Sequence, residues 1–393
     1  MSSATPASTS VPMLDVNRQN APLLEDINQA IAQVTRSGAF VHGPACREFE
    51  AAIADYCGTR HAVGCASGSD ALILALMALD IQPGDEVIIP SFTFFATAGA
   101  VWRLGATPIF ADILPDTLNL DPREVARKVT PQTKAIMPVH LFGQCVDIGA
   151  IEEIAHAAGD IPIVEDAAQA IGAQYQNRRA GSLGTLGCFS FYPTKNLGAM
   201  GDAGMLTTND DELADKLRRL RDHGQHPRYY HSIVGVNSRL DTIQAAILKV
   251  KLGRLDGWAA GRQSNANRYQ QEFLRLGLDQ QLTIPTIAAG CESIWNQFTI
   301  RVNNGRRDAL QQHLTERKIG SAIYYPIPLH LQDCFADLGY QAGSLPVTEQ
   351  AAHEVLSLPV FAALRADEQD RVIEEIAAFC GVEYTTDTQT RAA

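Results

Sequence analysis

An α/β fold is what this sequence predicts: a largely parallel, seven-stranded sheet with helices on both faces, then a smaller C-terminal α/β domain. Two observations lead there. Between Ala62 and Asn209, short runs rich in Val, Ile and Phe alternate with helical stretches. After Asn209 the texture changes to longer helical patterns with a few short strands. The runs are bounded by Gly, Pro or Asp, as strands are. They are Ala62–Ala66, Glu86–Ser91, Thr107–Ile113, Lys134–Leu141, Ile161–Ala167, Cys188–Pro193 and Ala203–Asn209. Helices are expected at Asp70–Leu79, Thr97–Leu104, Pro122–Lys128 and Asp147–Ala158. Strand–helix alternation favours parallel strands with crossover helices on both faces. Ligands of such sheets bind beyond the carboxyl ends of the strands, so chemistry is sought there.

Further along, Asp211–Asp222 reads as a helix with a charged face, and His223 to Asn237 is polar and aromatic. A long helical pattern runs from about Leu240 to Leu274 with a break near Gly253–Gly257. Beyond it come a strand at Phe298–Val302 and a helix at Arg307–Arg317. The expected division is a large domain over 13–252 and a small one over 253–383, with disordered tails at 1–12 and 384–393.

Composition narrows the function classes. The formal net charge is −12, and no basic run is present. Nucleic-acid binding needs clustered Lys and Arg against phosphates, so none is expected. The eight cysteines are scattered, with no C-x-x-C pair, which argues against a disulfide framework or a metal site. No run reaches the roughly 18 apolar residues of a membrane helix. The Ser/Thr/Ala/Pro-rich start lacks the basic and apolar regions of a signal peptide. The cytoplasm is the expected compartment.

Two segments carry the chemistry. In Ile161-Pro-Ile-Val-Glu-Asp-Ala-Ala-Gln169 an apolar strand ends in adjacent acids. Either the acids cap the next helix, or Asp166 points into a site at the strand tip. In Phe189-Ser-Phe-Tyr-Pro-Thr-Lys-Asn-Leu-Gly198 a lysine follows an aromatic strand and precedes a glycine-rich turn. Lysine usually lies at the surface. In an apolar, tight-turned place it loses its proton more readily and forms a Schiff base with a carbonyl compound. A pyridoxal cofactor requires a lysine, a carboxylate for its ring nitrogen and anchors for its phosphate. Lys195 and Asp166 meet the first two, and Ser190 stands five residues before Lys195. Gly64-Cys-Ala-Ser-Gly-Ser-Asp70 leads a strand into a helix. There the amides of Gly68 and Ser69 would form either an anion site or an ordinary cap. Of Phe92, Phe94 and Phe95, one ring could stack on a pyridine face, and core packing is expected for at least two. The glycines Gly198, Gly201 and Gly204 do not match the dinucleotide fingerprint. His223 and His226 have no companion ligands to make a metal site.

These residues resemble a known family. Ser67-Gly-Ser-Asp-Ala71, Pro90-Ser-Phe-Thr-Phe94, Val164-Glu-Asp-Ala-Ala-Gln169, Ser190-Phe-Tyr-Pro-Thr-Lys195, Gly235-Val-Asn-Ser-Arg-Leu-Asp241 and Tyr325-Pro-Ile-Pro328 are similar to motifs of the DegT/DnrJ/EryC1/StrS sugar aminotransferases. The likeness runs from about Met13 to Cys380. It implies the aspartate-aminotransferase-like architecture, fold type I of the pyridoxal-phosphate enzymes. It also implies roles. Lys195 would bind pyridoxal 5'-phosphate covalently and move the proton. Asp166 would hold the ring nitrogen, Gln169 would lie beside the ring and Phe94 would stack on it. Gly68, Ser69 and Ser190 would bind the phosphate. Asn237 would reach the phosphate of a neighbouring subunit, and Arg239 the substrate across the same interface, in a homodimer with shared sites. Tyr324 and Tyr325 would face the substrate.

Within the family the chain resembles enzymes that aminate UDP-2-acetamido-2-deoxy-3-keto-glucuronate, with L-glutamate as donor and 2-oxoglutarate as by-product. The implied setting is lipopolysaccharide or other surface-polysaccharide biosynthesis. His223-Gly-Gln225 and Val234 to Leu248 are similar to theirs. One departure is Tyr324, where those enzymes commonly have histidine. A TDP-3-keto-6-deoxyhexose is the alternative acceptor. Sugar dehydratases of the family carry histidine where Lys195 stands, which separates them. A regulatory protein or a non-catalytic nucleotide-sugar-binding module are the readings of another class. No basic helix-turn-helix supports the former.

Overall fold

Val87 and Ile89 face one way along their strand and Ile88 the other, and the two sets meet different cores. That alternation is the period of an extended chain. It holds because the sheet is covered on both sides. The strands are β1 (His61–Cys65), β2 (Glu86–Pro90), β3 (Thr107–Ala111), β4 (Thr133–Ile136) and β5 (Val164–Asp166). A short hairpin, β6 (Gln174–Tyr175) and β7 (Arg178–Arg179), precedes β8 (Leu186–Ser190) and β9 (Gly204–Thr208). One group of strands runs β1-β9-β8-β5 and another β3-β2-β4. Parallel bridges Ile136↔Ile163 and Val139↔Asp166 join them into one seven-stranded sheet. Only β9 runs against the rest. The expected fold is therefore present, strand for strand.

The computed structural model describes residues 10–384. The expected tail residues 1–9 and 385–393 lie outside the described residues. Val11 and Tyr384, within the stretches expected as tails, are instead held: Val11 is buried and exchanges backbone hydrogen bonds with Lys318 and Gly320, and the Tyr384 hydroxyl donates to Asp370 at 3.0 Å. Strands β4 and β5 are shorter than their apolar runs. Pro138 and Pro162 stand in those runs, and proline cannot donate to a ladder. The carbonyls of both still accept, from Asp166 and Ile136.

The helices divide between the faces. Helices α1 (Val16–Asn20) and α2 (Leu24–Ser37) lead in. Helix α3 (Pro44–Cys57) buries Phe49 and Ile53 in the first core. Helices α4 (Gly68–Ala78) and α5 (Ala96–Arg103) bury Leu72, Leu76, Ala98 and Val101 in the second. Helices α6 (Pro122–Lys128) and α7 (Ile148–Ala157) join the first core, and α8 (Asp211–Leu220) the second. The long helical pattern is two helices, α9 (Thr242–Leu252) and α10 (Leu255–Arg275), broken at Gly253 and Arg254. Leu255 packs into the first core, while Ala266, Tyr269 and Phe273 pack into a third. This third core lies under an antiparallel sheet of β10 (Leu282–Thr283), β12 (Phe298–Val302) and β13 (Val355–Leu358). Strand β11 (Cys291–Glu292) pairs instead with β6. Helices α11 (Arg307–Glu316), α12 (Pro346–Glu354) and α13 (Ala366–Phe379) complete the chain.

The adjacent acids at the end of β5 point opposite ways, as strand neighbours must. Glu165 turns inward and is fully buried. It accepts from the amides of Gly181, Leu183 and Gly184, each at 2.7 Å, and pairs with His140 at 2.9 Å. The amide of Val146 donates to His140 Nδ1, so the proton sits on Nε2 and points at Glu165. Four donors thus compensate one buried charge. Glu165→Gln keeps the shape but offers one acceptor oxygen. It is expected to lower stability by about 2–4 kcal/mol, read as the urea unfolding midpoint. An unchanged midpoint would show that the 181–184 turn is held by other contacts.

Candidate active site

Asp166 ends β5 and is only 4% exposed. Its Oδ2 accepts from the Thr97 hydroxyl at 2.8 Å and its Oδ1 from the amide of Ala168 at 3.2 Å. The Thr97 and Thr93 hydroxyls lie 3.1 Å apart. With its own hydrogen committed to Asp166, Thr97 accepts from Thr93, making a short relay. Burial pushes the Asp166 carboxyl above its ordinary range, against Thr97, Ala168, Lys195 and His140, which all favour the charged form.

Lys195 follows β8 in a tight turn. Its amide bonds to the Tyr192 carbonyl and that of Ala199 to the Phe191 carbonyl, both at 2.8 Å. The residue as a whole is half-buried, but its amine is desolvated. Burial lowers its pKa to about 8, with Asp166 as the one charge acting to raise it. An amine so poised is partly neutral near pH 7–8 and nucleophilic.

Three predicted phosphate residues converge. Gly68 opens α4 behind the cap Ser67, whose hydroxyl accepts from the Asp70 amide at 3.1 Å. A Cβ on Gly68 would stand 2.5 Å from Ser190 Cβ, so only glycine lets the helix start against that strand end. The first amides of α4 and the Ser190 hydroxyl therefore share one corner, with Ser69 exposed beside them. A helix N-terminus next to a hydroxyl suits an anion.

The aromatic residues come from two loops. Tyr325 lies 6.2 Å from Phe94, centroid to centroid. Gln169 Nε2 donates to the Tyr325 hydroxyl at 3.0 Å, and Gln169 Oε1 accepts from the Phe142 amide at 2.8 Å. Tyr324 packs edge-on beside Tyr325 at 6.0 Å. The expectation that at least two of the phenylalanines are core is corrected here. Phe92 is buried, but Phe94 and Phe95 are 57% and 48% exposed. The chain leaves the sheet after Pro90, and both rings precede α5 on its open side. Together with Ile73, Trp102 and Phe335 they line an apolar cleft of about 490 Å³ that begins at Ser69.

Asn237 and Arg239 are not brought to this corner. Asn237 is exposed and bridges to Asp222, and Arg239 pairs with Asp222 at 2.6 Å. Between them, Ser238 is buried and turned inward. It donates to Asp70 at 2.8 Å and accepts from the Ala66 amide at 3.2 Å.

The comparisons with known proteins bear on this arrangement. Residues 23–377 match the DegT/DnrJ/EryC1/StrS aminotransferase family. This chain belongs to that family. It is 49% identical to the pleiotropic regulatory protein of Geobacillus stearothermophilus, across 94% of this chain and 98% of that one. It is 44% identical to the UDP-2-acetamido-2-deoxy-3-oxo-D-glucuronate aminotransferase of Pseudomonas aeruginosa, across 89% and 95%. It is also 44% identical to the dTDP-3-amino-3,4,6-trideoxy-alpha-D-glucose transaminase of Streptomyces venezuelae, across 93% and 95%. The crystal structure of DesV from S. venezuelae superposes with a TM-score of 0.91 at 43% identity, covering 96% of this chain and all of that one. The chain is an aminotransferase of fold type I, and its cofactor is pyridoxal phosphate.

The residues of this aminotransferase fit that cofactor. A buried carboxylate whose pKa is raised, with no salt bridge on it among the described residues, is a place for a cationic N–H. The corner of Gly68, Ser69 and Ser190 is a place for a phosphate. The desolvated amine of Lys195 suits an aldehyde carbon. Sequence reasoning missed Thr97, because nothing local marks a helix residue as the partner of an acid on a distant strand. Thr93 precedes α5, so the Thr93–Thr97 pair follows no helical spacing that a sequence could show.

Thr97 donates to the ionised form of Asp166, so losing that bond raises the acid's pKa further. Thr97→Val is expected to move the acid limb of the kcat/KM profile upward by about one pH unit, leaving the alkaline limb in place. A profile that coincides with the parent's would remove Thr97 from the charge balance of Asp166.

Proposed function

We propose that this aminotransferase moves the amino group of L-glutamate onto a nucleotide-linked 3-keto sugar, with UDP-2-acetamido-2-deoxy-3-keto-glucuronate as the acceptor, for a surface polysaccharide. The observation that carries the catalytic part is the desolvated Lys195 amine facing Asp166. Likeness to the Pseudomonas aeruginosa enzyme supports the acceptor. The equal identity to the Streptomyces venezuelae transaminase keeps a TDP-linked 3-keto-6-deoxyhexose as a second reading.

When bound, pyridoxal phosphate supplies an electron sink for the pair left at the substrate carbon. The chain's residues do the rest. Lys195 is the amine that anchors the cofactor and then carries a proton between substrate and cofactor carbons. Asp166 keeps the ring nitrogen protonated, and Thr97 keeps Asp166 ionised. Gly68, Ser69 and Ser190 take the phosphate. Phe94 and Gln169 would hold the ring between them, and Tyr325, beside Phe94 and bonded to Gln169, would meet the sugar together with Tyr324.

The same reading includes a second copy of the chain. Ser238 faces its own helix α4, so Asn237 and Arg239, on either side of it along the chain, are directed away from their own phosphate corner. The segment before them displays Tyr229, Tyr230 and Val234, the last 89% exposed. We assign Asn237 and Arg239 to the partner's site in a homodimer.

Lys195→Ala is expected to abolish turnover while the protein still takes up cofactor without a covalent link. With the parent enzyme, L-glutamate should bleach the visible band of the bound cofactor. The band should return when the UDP-linked keto acid is added and stay bleached with the TDP-linked deoxyhexose. The opposite pattern would move the enzyme to deoxysugars, and no bleaching would refute the donor.

Sharing of the site has its own test. Lys195→Ala and Arg239→Ala are each expected to be inactive, and refolding them together should restore activity, because one site of the mixed dimer holds both parent residues. Mixtures that stay inactive would place Arg239 in its own chain's site.

A further inference from the structure

Lys251 is 1% exposed, and among the described residues it makes no salt bridge. A lone interior lysine is costly unless something specific compensates it. Its compensation is a single hydrogen bond, from Nζ to the carbonyl of Gly198. Burial alone lowers its pKa, to about 8. Gly198 is three residues beyond Lys195, in the same turn.

The turn has little freedom at that point. A Cβ on Gly198 would lie 2.3 Å from the Pro193 carbonyl oxygen, so the chain doubles back on itself there. Helix α9 holds the folded-back limb twice. Gln244 accepts from the Met200 amide at 2.9 Å and donates to the Met200 carbonyl at 3.1 Å. Lys251 is seven residues on, which is the same face of a helix. Ala245 and Leu248 of α9 are buried in the first core, so the anchor stands on a packed helix.

We propose that Lys251 is a positioning residue for the Lys195 amine: its bond to Gly198 sets the height of the turn that carries Lys195 toward Asp166. The proposal rests on the reading of Lys195 as the reacting amine. Without the bond a buried carbonyl loses its donor, and the turn relaxes to find another. A displacement of about 1 Å at a reacting group costs on the order of a hundredfold in rate.

The test is Lys251→Met in the holoenzyme, with Lys195→Ala alongside. The methionine fills the space of the lysine stem and removes the desolvated amine, so thermal stability and cofactor content are expected to hold. The expected effect is a fall in kcat of about ten- to a hundredfold, KM for both substrates within about twofold, and a shifted pH midpoint of the cofactor's visible band. Parent-like kcat and midpoint would overturn the proposal, as would a loss of kcat matched by an equal loss of cofactor or of melting temperature. If Lys251→Met does not fold, Gln244→Ala frees the same turn at Met200 and is judged by the same readouts. Turnover in Lys195→Ala would instead sink the reading beneath the proposal, which separates the two failures.

Discussion

Two groups of opposite charge, neither fully solvated, face each other at the carboxyl end of the sheet, and much of the structure exists to make that tolerable. Burial alone would neutralise both Asp166 and Lys195. Each moves the other back toward its charged form. Thr97 and the Ala168 amide supply the rest for Asp166. Asp166 is left above the ordinary carboxylate range, and the Lys195 amine at about 8, which is where a group that gains and loses protons near neutral pH is most useful. The parallel sheet provides the location. Strands β5 and β8 are neighbours in register, with Asp166 opposite Cys188. A residue at the tip of one and a turn after the other therefore arrive at the same place.

The neighbour of Asp166 shows how the cost is confined. Glu165 is as deeply buried, but it points to the other side of the strand and meets four donors. One acid is fully satisfied and builds the fold. The next is deliberately short of a cationic partner and builds the site. Strand alternation turns adjacent residues of like chemistry to opposite purposes. Antiparallel β9 then locks β8 from the far side, pairing with four of its residues, so the turn carrying Lys195 begins from a fixed strand.

Much of this was legible in the sequence, for reasons that also mark where legibility stopped. Short apolar runs bounded by turn residues located all seven strands, because burial on both faces leaves a run too apolar to hide. Lys195 and Asp166 stood out because lysine and aspartate rarely sit among apolar residues without a purpose. Gly68 was legible as a helix start, but its contact with Ser190 was not. Contacts between elements depend on the distance and angle of packing, which periodicity does not contain. Phe94 and Phe95 show the same limit from the other side. Their aromatic character suggested a core, and only the exit of the chain from the sheet leaves them open. Lys251 was invisible for a different reason. On a helix bearing Lys249 as well, a lysine reads as solvated surface, and nothing local says which of the two turns inward.

The turn that carries Lys195 is also tied to the C-terminal part of the chain. Asn196, the next residue, donates to the Ile294 carbonyl at 3.0 Å. The following carbonyls, of Trp295 and Asn296, accept from the buried guanidinium of Arg262 on α10. The amide of Ile294 in turn bonds to the Gly143 carbonyl at 3.0 Å, beside Phe142, whose amide holds Gln169, which holds Tyr325. One run of backbone, Ile294 to Asn296, therefore has its polar groups distributed among the Lys195 turn, helix α10 and the segment that supports Gln169 and Tyr325. Side chains that donate to backbone carbonyls fix distance and direction more firmly than apolar contacts do. A shift of that run relative to the sheet cannot leave Lys195 and Tyr325 in their present relation. The relation between Lys195 and Tyr325 is thus set by a single strip of chain that contains neither.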